Sequence, residues 1–75
     1  MVTDMQDFYI EAGRRIRKSR LLKGYTVEEF AHKVDISLKF VNDIESGRRG
    51  FSGKTLYKIT EVLEVDSDYI LKGRE

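Results

Sequence analysis

The sequence predicts an all-α domain of five short helices, and three observations predict it. Apolar residues recur at three- and four-residue spacing along most of the chain, whereas no segment alternates with a period of two over enough residues to indicate a strand. Proline is absent from all 75 residues, and glycines and helix-capping residues separate the periodic segments. Residues 7–75 are therefore expected to form one domain, preceded by a flexible polar arm of residues 1–6.

The first helix is predicted over residues 7–23, with Gly24 as its C-terminal stop. The second begins at Thr26, because Thr26 and Glu29 have the spacing of a capping box, in which each side chain satisfies a backbone amide of the other residue. Each helix carries a stripe of residues that should face the core. The stripe consists of Tyr9, Gly13, Ile16 and Arg20 on the first helix, and of Val27, Phe30, Ala31 and Val34 on the second.

A very short turn separates the second helix from the third. Only Asp35 and Ile36 intervene before Ser37, a good N-cap for a helix that turns Val41 and Ile44 inward and ends at Gly47. Two helices joined by so short a turn must cross at a steep angle.

The remaining chain continues the same pattern. A basic loop over residues 48–51 leads to Ser52, which caps a fourth helix. Asp66 or Ser67 begins a last helical turn, which Gly73 closes. The inward residues of the fourth helix are Leu56, Ile59, Thr60 and Leu63.

The composition limits the kind of protein this chain can be. It has no cysteine, so stability must come from packing, and no apolar stretch approaches the roughly 18 residues of a membrane span, which indicates a cytoplasmic protein without a membrane partner. A domain of this size buries only about 60% of its unfolded surface. We therefore expect a protein that is not an enzyme, with no cofactor and no small-molecule substrate. His32, the only histidine, has no second ligand at a suitable spacing, so no metal site is expected.

Two opposite charges are predicted to pair inside the domain. Arg20 follows Ile16 by four residues and Glu45 follows Val41 by four, so each charge falls on the inward stripe of its helix. A lone buried charge costs several kcal/mol, which predicts a salt bridge between Arg20 and Glu45. Two solvated surface charges are the alternative.

Taken together, the spacing resembles that of the helix-turn-helix regulators of the phage lambda repressor and Cro type, also called the XRE family. The resemblance covers residues 12–73 and implies a five-helix lambda-repressor-like fold. The residues that carry it are Gly13, Arg14 to Arg17, Arg20, Lys23, Gly24, Thr26, Glu28 to Ala31, Val34, Ile36, Ser37, Val41, Ile44 to Gly47, Leu56, Ile59, Leu63 and Asp68 to Leu71.

The resemblance makes the third helix the recognition helix, with Leu38, Lys39 and Asp43 as base-reading positions and Asn42 beside them. All four are expected to point outward. Lys39 can donate to guanine, Asp43 can accept from cytosine, and Leu38 can pack on a thymine methyl group. Simple exposure of Asp43 to solvent is the alternative. Phosphate contacts are expected around this helix from Thr26, Ser37, Arg48, Arg49, Ser52 and Lys54.

Two positions depart from the resembled pattern. Val27 stands where a glutamine commonly contacts a phosphate, so one positioning contact should be missing or replaced by a backbone amide. Asp35 stands where glycine usually adopts a left-handed conformation, which aspartate tolerates better than most residues.

The implied function is sequence-specific binding of double-stranded DNA as a transcriptional regulator, in particular a repressor acting as a homodimer on a near-palindromic site. Tyr69, Ile70 and Leu71 form an apolar cluster that could be core, dimer contact or both. The alternative function is a protein-interaction module, such as an antitoxin or a partner domain with weak DNA binding. Salt should weaken DNA binding but not an apolar interface, so salt dependence separates the two.

Overall fold

A computed structural model describes residues 4–74 as five helices with no strand in that range. The helices are α1 (Asp4–Lys23), α2 (Val27–Val34), α3 (Leu38–Ser46), α4 (Gly53–Leu63) and α5 (Ser67–Lys72). The predicted fold class is confirmed. Because α1 begins at Asp4, residues 4–6 of the predicted flexible arm are helical, whereas residues 1–3 of that arm lie outside the described residues.

The helix starts follow the capping chemistry that the sequence predicts. The hydroxyl oxygens of Thr26, Ser37 and Ser52 each accept a hydrogen bond from the backbone amide three residues further on, at 3.0, 3.0 and 3.2 Å. The Glu29 carboxylate accepts in return from the Thr26 amide at 2.8 Å, which completes the capping box. Such caps typically contribute about 1 kcal/mol each.

One apolar cluster joins all five helices. A buried isoleucine or phenylalanine stabilises a fold by about 1.5–3 kcal/mol relative to an exposed one, so this cluster is the main source of stability. Its buried members are Ala12, Ile16, Phe30, Ala31, Val34, Val41, Ile44, Ile59, Leu63 and Ile70.

The crossing of α1 and α3 depends on Gly13. A Cβ atom at this position would lie 2.2 Å from the carbonyl oxygen of Ile44 and 2.9 Å from that of Glu45. The missing side chain therefore lets the two backbones touch. This contact sets the distance between α1 and α3 where they cross.

The turn between α2 and α3 has the predicted left-handed residue. Asp35 adopts φ 63° and ψ 49°, and the Ile36 amide donates to the Ala31 carbonyl at 3.0 Å. This closure of α2 turns the chain sharply enough for Ser37 to start α3. The pair α2 and α3 is thus a helix-turn-helix.

Candidate nucleic-acid interface

The first half of α3 presents a solvent-facing surface. Leu38 is 44% exposed, the Lys39 side chain is 80% exposed, and Asn42 is also exposed. On the opposite side of the same helix, Val41 and Ile44 are buried in the core. The expected outward direction of Leu38, Lys39 and Asn42 is confirmed.

The expected outward direction of Asp43 is wrong. Its side chain is only 4% exposed and lies between two cations. The Lys39 ammonium donates to carboxylate Oδ2 at 2.9 Å, and the Arg48 guanidinium lies 3.6 Å from Oδ1. The hydrogen bond from Lys39 lowers the pKa of Asp43, although burial opposes this shift. Asp43 is therefore an ionised, buried neighbour of the exposed surface.

The loop after α3 folds back onto the backbone of Asp43. The chain reverses at Gly47, and the amides of Arg48 and Arg49 then donate to the backbone carbonyl of Asp43 at 2.9 and 3.3 Å. The Ser46 hydroxyl donates to the same oxygen at 3.1 Å. The following loop thus folds back over one side of α3, which periodicity within the helix could not indicate.

Tyr9, an aromatic residue of α1, packs against this loop and holds it in place. A Cβ atom at Gly50 would lie 2.6 Å from the ring of Tyr9, and the Tyr9 and Phe51 rings meet edge to face at 5.4 Å. The Arg49 guanidinium lies 5.3 Å from the centre of the Phe40 ring. The sequence placed Tyr9 on the inward stripe of α1, but nothing in it indicated that Tyr9 supports the basic loop.

The six residues predicted to contact phosphate are all exposed in the structure: Thr26, Ser37, Arg48, Arg49, Ser52 and Lys54. Arg48 and Arg49 lie in the loop after α3, and the other four lie at helix starts that differ in charge. At α2, Glu28 and Glu29 lie in the first turn, and the hydrogen bond from the Thr26 amide lowers the pKa of Glu29. The first turns of α3 and α4 carry no acidic residue. The N-terminal ends of α3 and α4 therefore offer a better environment for an anion than the N-terminal end of α2.

The predicted salt bridge between Arg20 and Glu45 is confirmed. Arg20 donates from Nε and Nη2 to the two carboxylate oxygens at 2.7 and 3.0 Å, and the side chains are 6% and 7% exposed. Arg20 also donates to the Tyr25 carbonyl at 2.9 Å. The bridge connects α1 to the last turn of α3, so it helps to fix the orientation of the exposed surface.

The apolar cluster near the C-terminus divides into two kinds of residue. Ile70 is fully buried and belongs to the core, which is one of the alternatives that the sequence left open for this cluster. Tyr69 and Leu71 are half-buried. Beside Tyr69 runs a groove that Leu22 and Val65 also line, and Leu22 is 79% exposed.

Two absences concern the described range 4–74. It contains no group of three or more histidine, cysteine, aspartate or glutamate residues that could hold a metal ion. None of its helices is both long and apolar enough to cross a membrane.

Comparison with known proteins identifies the family. The model of the helix-turn-helix family matches residues 16–70. The HTH-type transcriptional regulator YazB of Bacillus subtilis is 43% identical over 56 residues, which cover 75% of this chain and 81% of YazB. Two other B. subtilis regulators, YonR and ImmR, are 34% and 32% identical, and the aligned parts cover 56% and 46% of their lengths.

Solved structures share the fold. The restriction-modification controller protein C.AhdI of Aeromonas hydrophila superimposes with a TM-score of 0.78 at 24% identity, covering 83% of this chain and 94% of that protein. The hypothetical transcription factor NHTF from Neisseria gives 0.81 at 24% identity, covering 95% and 82%. The chain belongs to the XRE-type helix-turn-helix family of transcriptional regulators, which bind double-stranded DNA and are not an enzyme family. Its helix-turn-helix is the pair α2 and α3.

Proposed function

We propose that this protein binds a specific double-stranded DNA sequence as a homodimer and represses transcription by occupying a near-palindromic site. The carrying observation is the exposed start of α3, where Leu38, Lys39 and Asn42 lie together and cations follow directly in the loop. These three side chains are proposed to contact base edges in the major groove.

Phosphate contacts would hold α3 in the groove. Arg48, Arg49 and Lys54 supply positive charge, and the backbone amides near Ser37 and Ser52 supply neutral donors at helix starts without acidic residues. Thr26 is proposed as a weaker contact, because the carboxylate of Glu29 already accepts from its amide.

The length of α3 supports a dimer. A helix of 9 residues is about 13.5 Å long and reaches only a few base pairs, too few to specify one site in a genome. A second copy doubles the sequence that is contacted, and the half-sites would be separated by about 34 Å. The proposed contact consists of the half-buried Tyr69 and Leu71 with Leu22 and Val65 of the adjoining groove.

The first test is selection of binding sequences from random duplex DNA, followed by titration of the selected duplex at several salt concentrations. A symmetric sequence and a steep loss of affinity with salt are expected. Replacing Arg48 and Arg49 by alanine should reduce the magnitude of the slope of log K against log salt by about 4 for the dimer, because two phosphate contacts are lost in each protomer and each contact contributes about 0.9.

A matched control removes two charges elsewhere. Lys33 and Lys72 lie in the last turns of α2 and α5, are exposed and do not line the groove of the proposed dimer contact, so their double alanine variant should keep the wild-type slope. Absence of any selected sequence at low salt would contradict the proposal and favour a protein-interaction module. Sedimentation tests the dimer contact: wild type should be dimeric, and Leu22→Glu should be monomeric.

A further inference from the structure

Asp43 joins the two parts of the proposed DNA surface. One carboxylate oxygen accepts from Lys39, which lies one helical turn earlier among the base-facing residues. The other lies 3.6 Å from Arg48, which belongs to the phosphate-facing loop. The two cations are 80% and 74% exposed, whereas the carboxylate between them is 4% exposed. A single buried carboxylate therefore contacts both Lys39, proposed to contact a base, and Arg48, proposed to contact a phosphate.

Stability alone does not account for this arrangement. Ion pairs with exposed cations contribute little to folding, because water and salt compete for the charge. An acid facing DNA also repels phosphate. Asp43 nevertheless stays ionised, since Lys39 holds its pKa below the ordinary value. A buried carboxylate between Lys39 and Arg48 has a use if DNA recognition depends on how these two cations are oriented.

Lysine has the most to gain from such orientation. Its ammonium is a point charge on a flexible stem, and it lacks the rigid fork with which arginine contacts guanine. The ammonium has three N–H donors, and Asp43 accepts from one of them. Two donors remain, which is the number that guanine O6 and N7 can accept.

We propose that Asp43 is a positioning residue that determines specificity: it holds Lys39 over the base edges and Arg48 toward the backbone, without contacting DNA itself. The proposal rests on the proposed function. Replacing the buried carboxylate should therefore reduce discrimination between DNA sequences and should not weaken binding to all DNA equally.

The test compares wild type, Asp43→Asn, Lys39→Ala and the double variant. Each is titrated with the duplex selected by wild type, with every single-base change of one half-site, and with an unrelated duplex. Asp43→Asn keeps the shape of the side chain but removes its charge. It should lower the ratio of selected to unrelated binding by about tenfold for each half-site, within the range expected for one base contact. Affinity for the unrelated duplex should stay the same or rise, because a negative charge near phosphate is gone.

The double variant distinguishes positioning from architecture. If Asp43 acts through Lys39, its replacement should change discrimination mainly at the base pair where Lys39→Ala does, and the double variant should match Lys39→Ala there. Asp68→Asn, an exposed acid on α5, removes the same charge and should keep wild-type discrimination. If Asp43→Asn does not fold, Asp43→Glu replaces it, since the displaced carboxylate should cause the same selective loss.

Two failures are distinguishable. Equal weakening on all duplexes, or unchanged discrimination by Asp43→Asn, overturns the positioning role while the proposed function stands. Absence of discrimination by wild type overturns both.

Discussion

Two carboxylates on α3 lie two residues apart and are almost equally buried, yet their surroundings differ. The Glu45 side chain is 7% exposed and its partner, Arg20, is 6% exposed. The Asp43 side chain is 4% exposed, but its partners Lys39 and Arg48 are mostly in solvent. The burial of the partner distinguishes an ion pair of the interior from one that supports a surface.

The largest expected effect concerns the interior pair. Glu45→Ala should lower the free energy of unfolding by about 3–5 kcal/mol, because Arg20 would remain buried without its counter-charge. Domains are stable by only about 5–15 kcal/mol, so the change should be large in urea denaturation. The double variant Arg20→Met, Glu45→Met should recover most of the loss. A loss below about 1 kcal/mol for Glu45→Ala would mean that Arg20 reaches water after all.

The crossing beside Glu45 should be nearly as sensitive. Gly13→Ala should cost about 1–3 kcal/mol through overpacking against the carbonyls of Ile44 and Glu45, although alanine is by about 1 kcal/mol the better helix former. Gly53→Ala is the matched control, because a Cβ atom there meets nothing within 4 Å. Equal unfolding free energies for the two variants would show that α1 and α3 can separate freely.

The ion pair between Asp43 and Lys39 should make the stability of the protein depend on pH. Because Lys39 lowers the folded pKa of Asp43, the ionised form contributes stability above the unfolded value of about 3.9, and this contribution is lost as pH falls through the folded pKa. Wild type should therefore exceed Asp43→Asn in urea midpoint at pH 6, and the difference should close below about pH 4. Glu29 and Glu64, whose pKa values are also lowered, are common to both proteins and cancel. A difference that stays constant down to pH 2.5 contradicts this prediction.

The smallest effect on stability is expected at the exposed face. Leu38→Ala should change the free energy of unfolding by no more than about 0.5 kcal/mol, since Leu38 is 44% exposed. It should nevertheless weaken binding to the selected duplex several-fold without changing the salt slope, because the lost contact is apolar. A large loss of stability would place Leu38 with the core side of α3.

The sequence predicted the helices and much of the interior because both depend on local chemistry. Caps at Thr26, Ser37 and Ser52, the stop at Gly47 and the inward positions of Val41 and Ile44 follow from hydrogen bonding over three residues and from the helical period. The same period predicted the interior ion pair, since both charges lie on inward stripes. The start of α1 was placed too late, because residues 4–6 carry few apolar residues to mark it.

The candidate site was predictable only in part. Periodicity gave the outward direction of Leu38, Lys39 and Asn42, but it also placed Asp43 outward, where the structure does not. The loop after Gly47 folds back onto Asp43 through backbone hydrogen bonds and the Arg48 side chain, and Tyr9 of the distant α1 supports that loop. Burial by a returning loop depends on contacts between residues far apart in sequence, so no local pattern records it.

The amino-acid sequence was enough to predict the class of fold, the helix boundaries within a few residues, the salt bridge and the family, because caps, glycines and helical spacing act over one or two turns. Which charges near α3 are exposed and which are buried could be seen only in the folded protein. The difference depends on how the loop folds back over the helix and on how closely α1 approaches it. Both are set by packing between segments that are distant in the sequence.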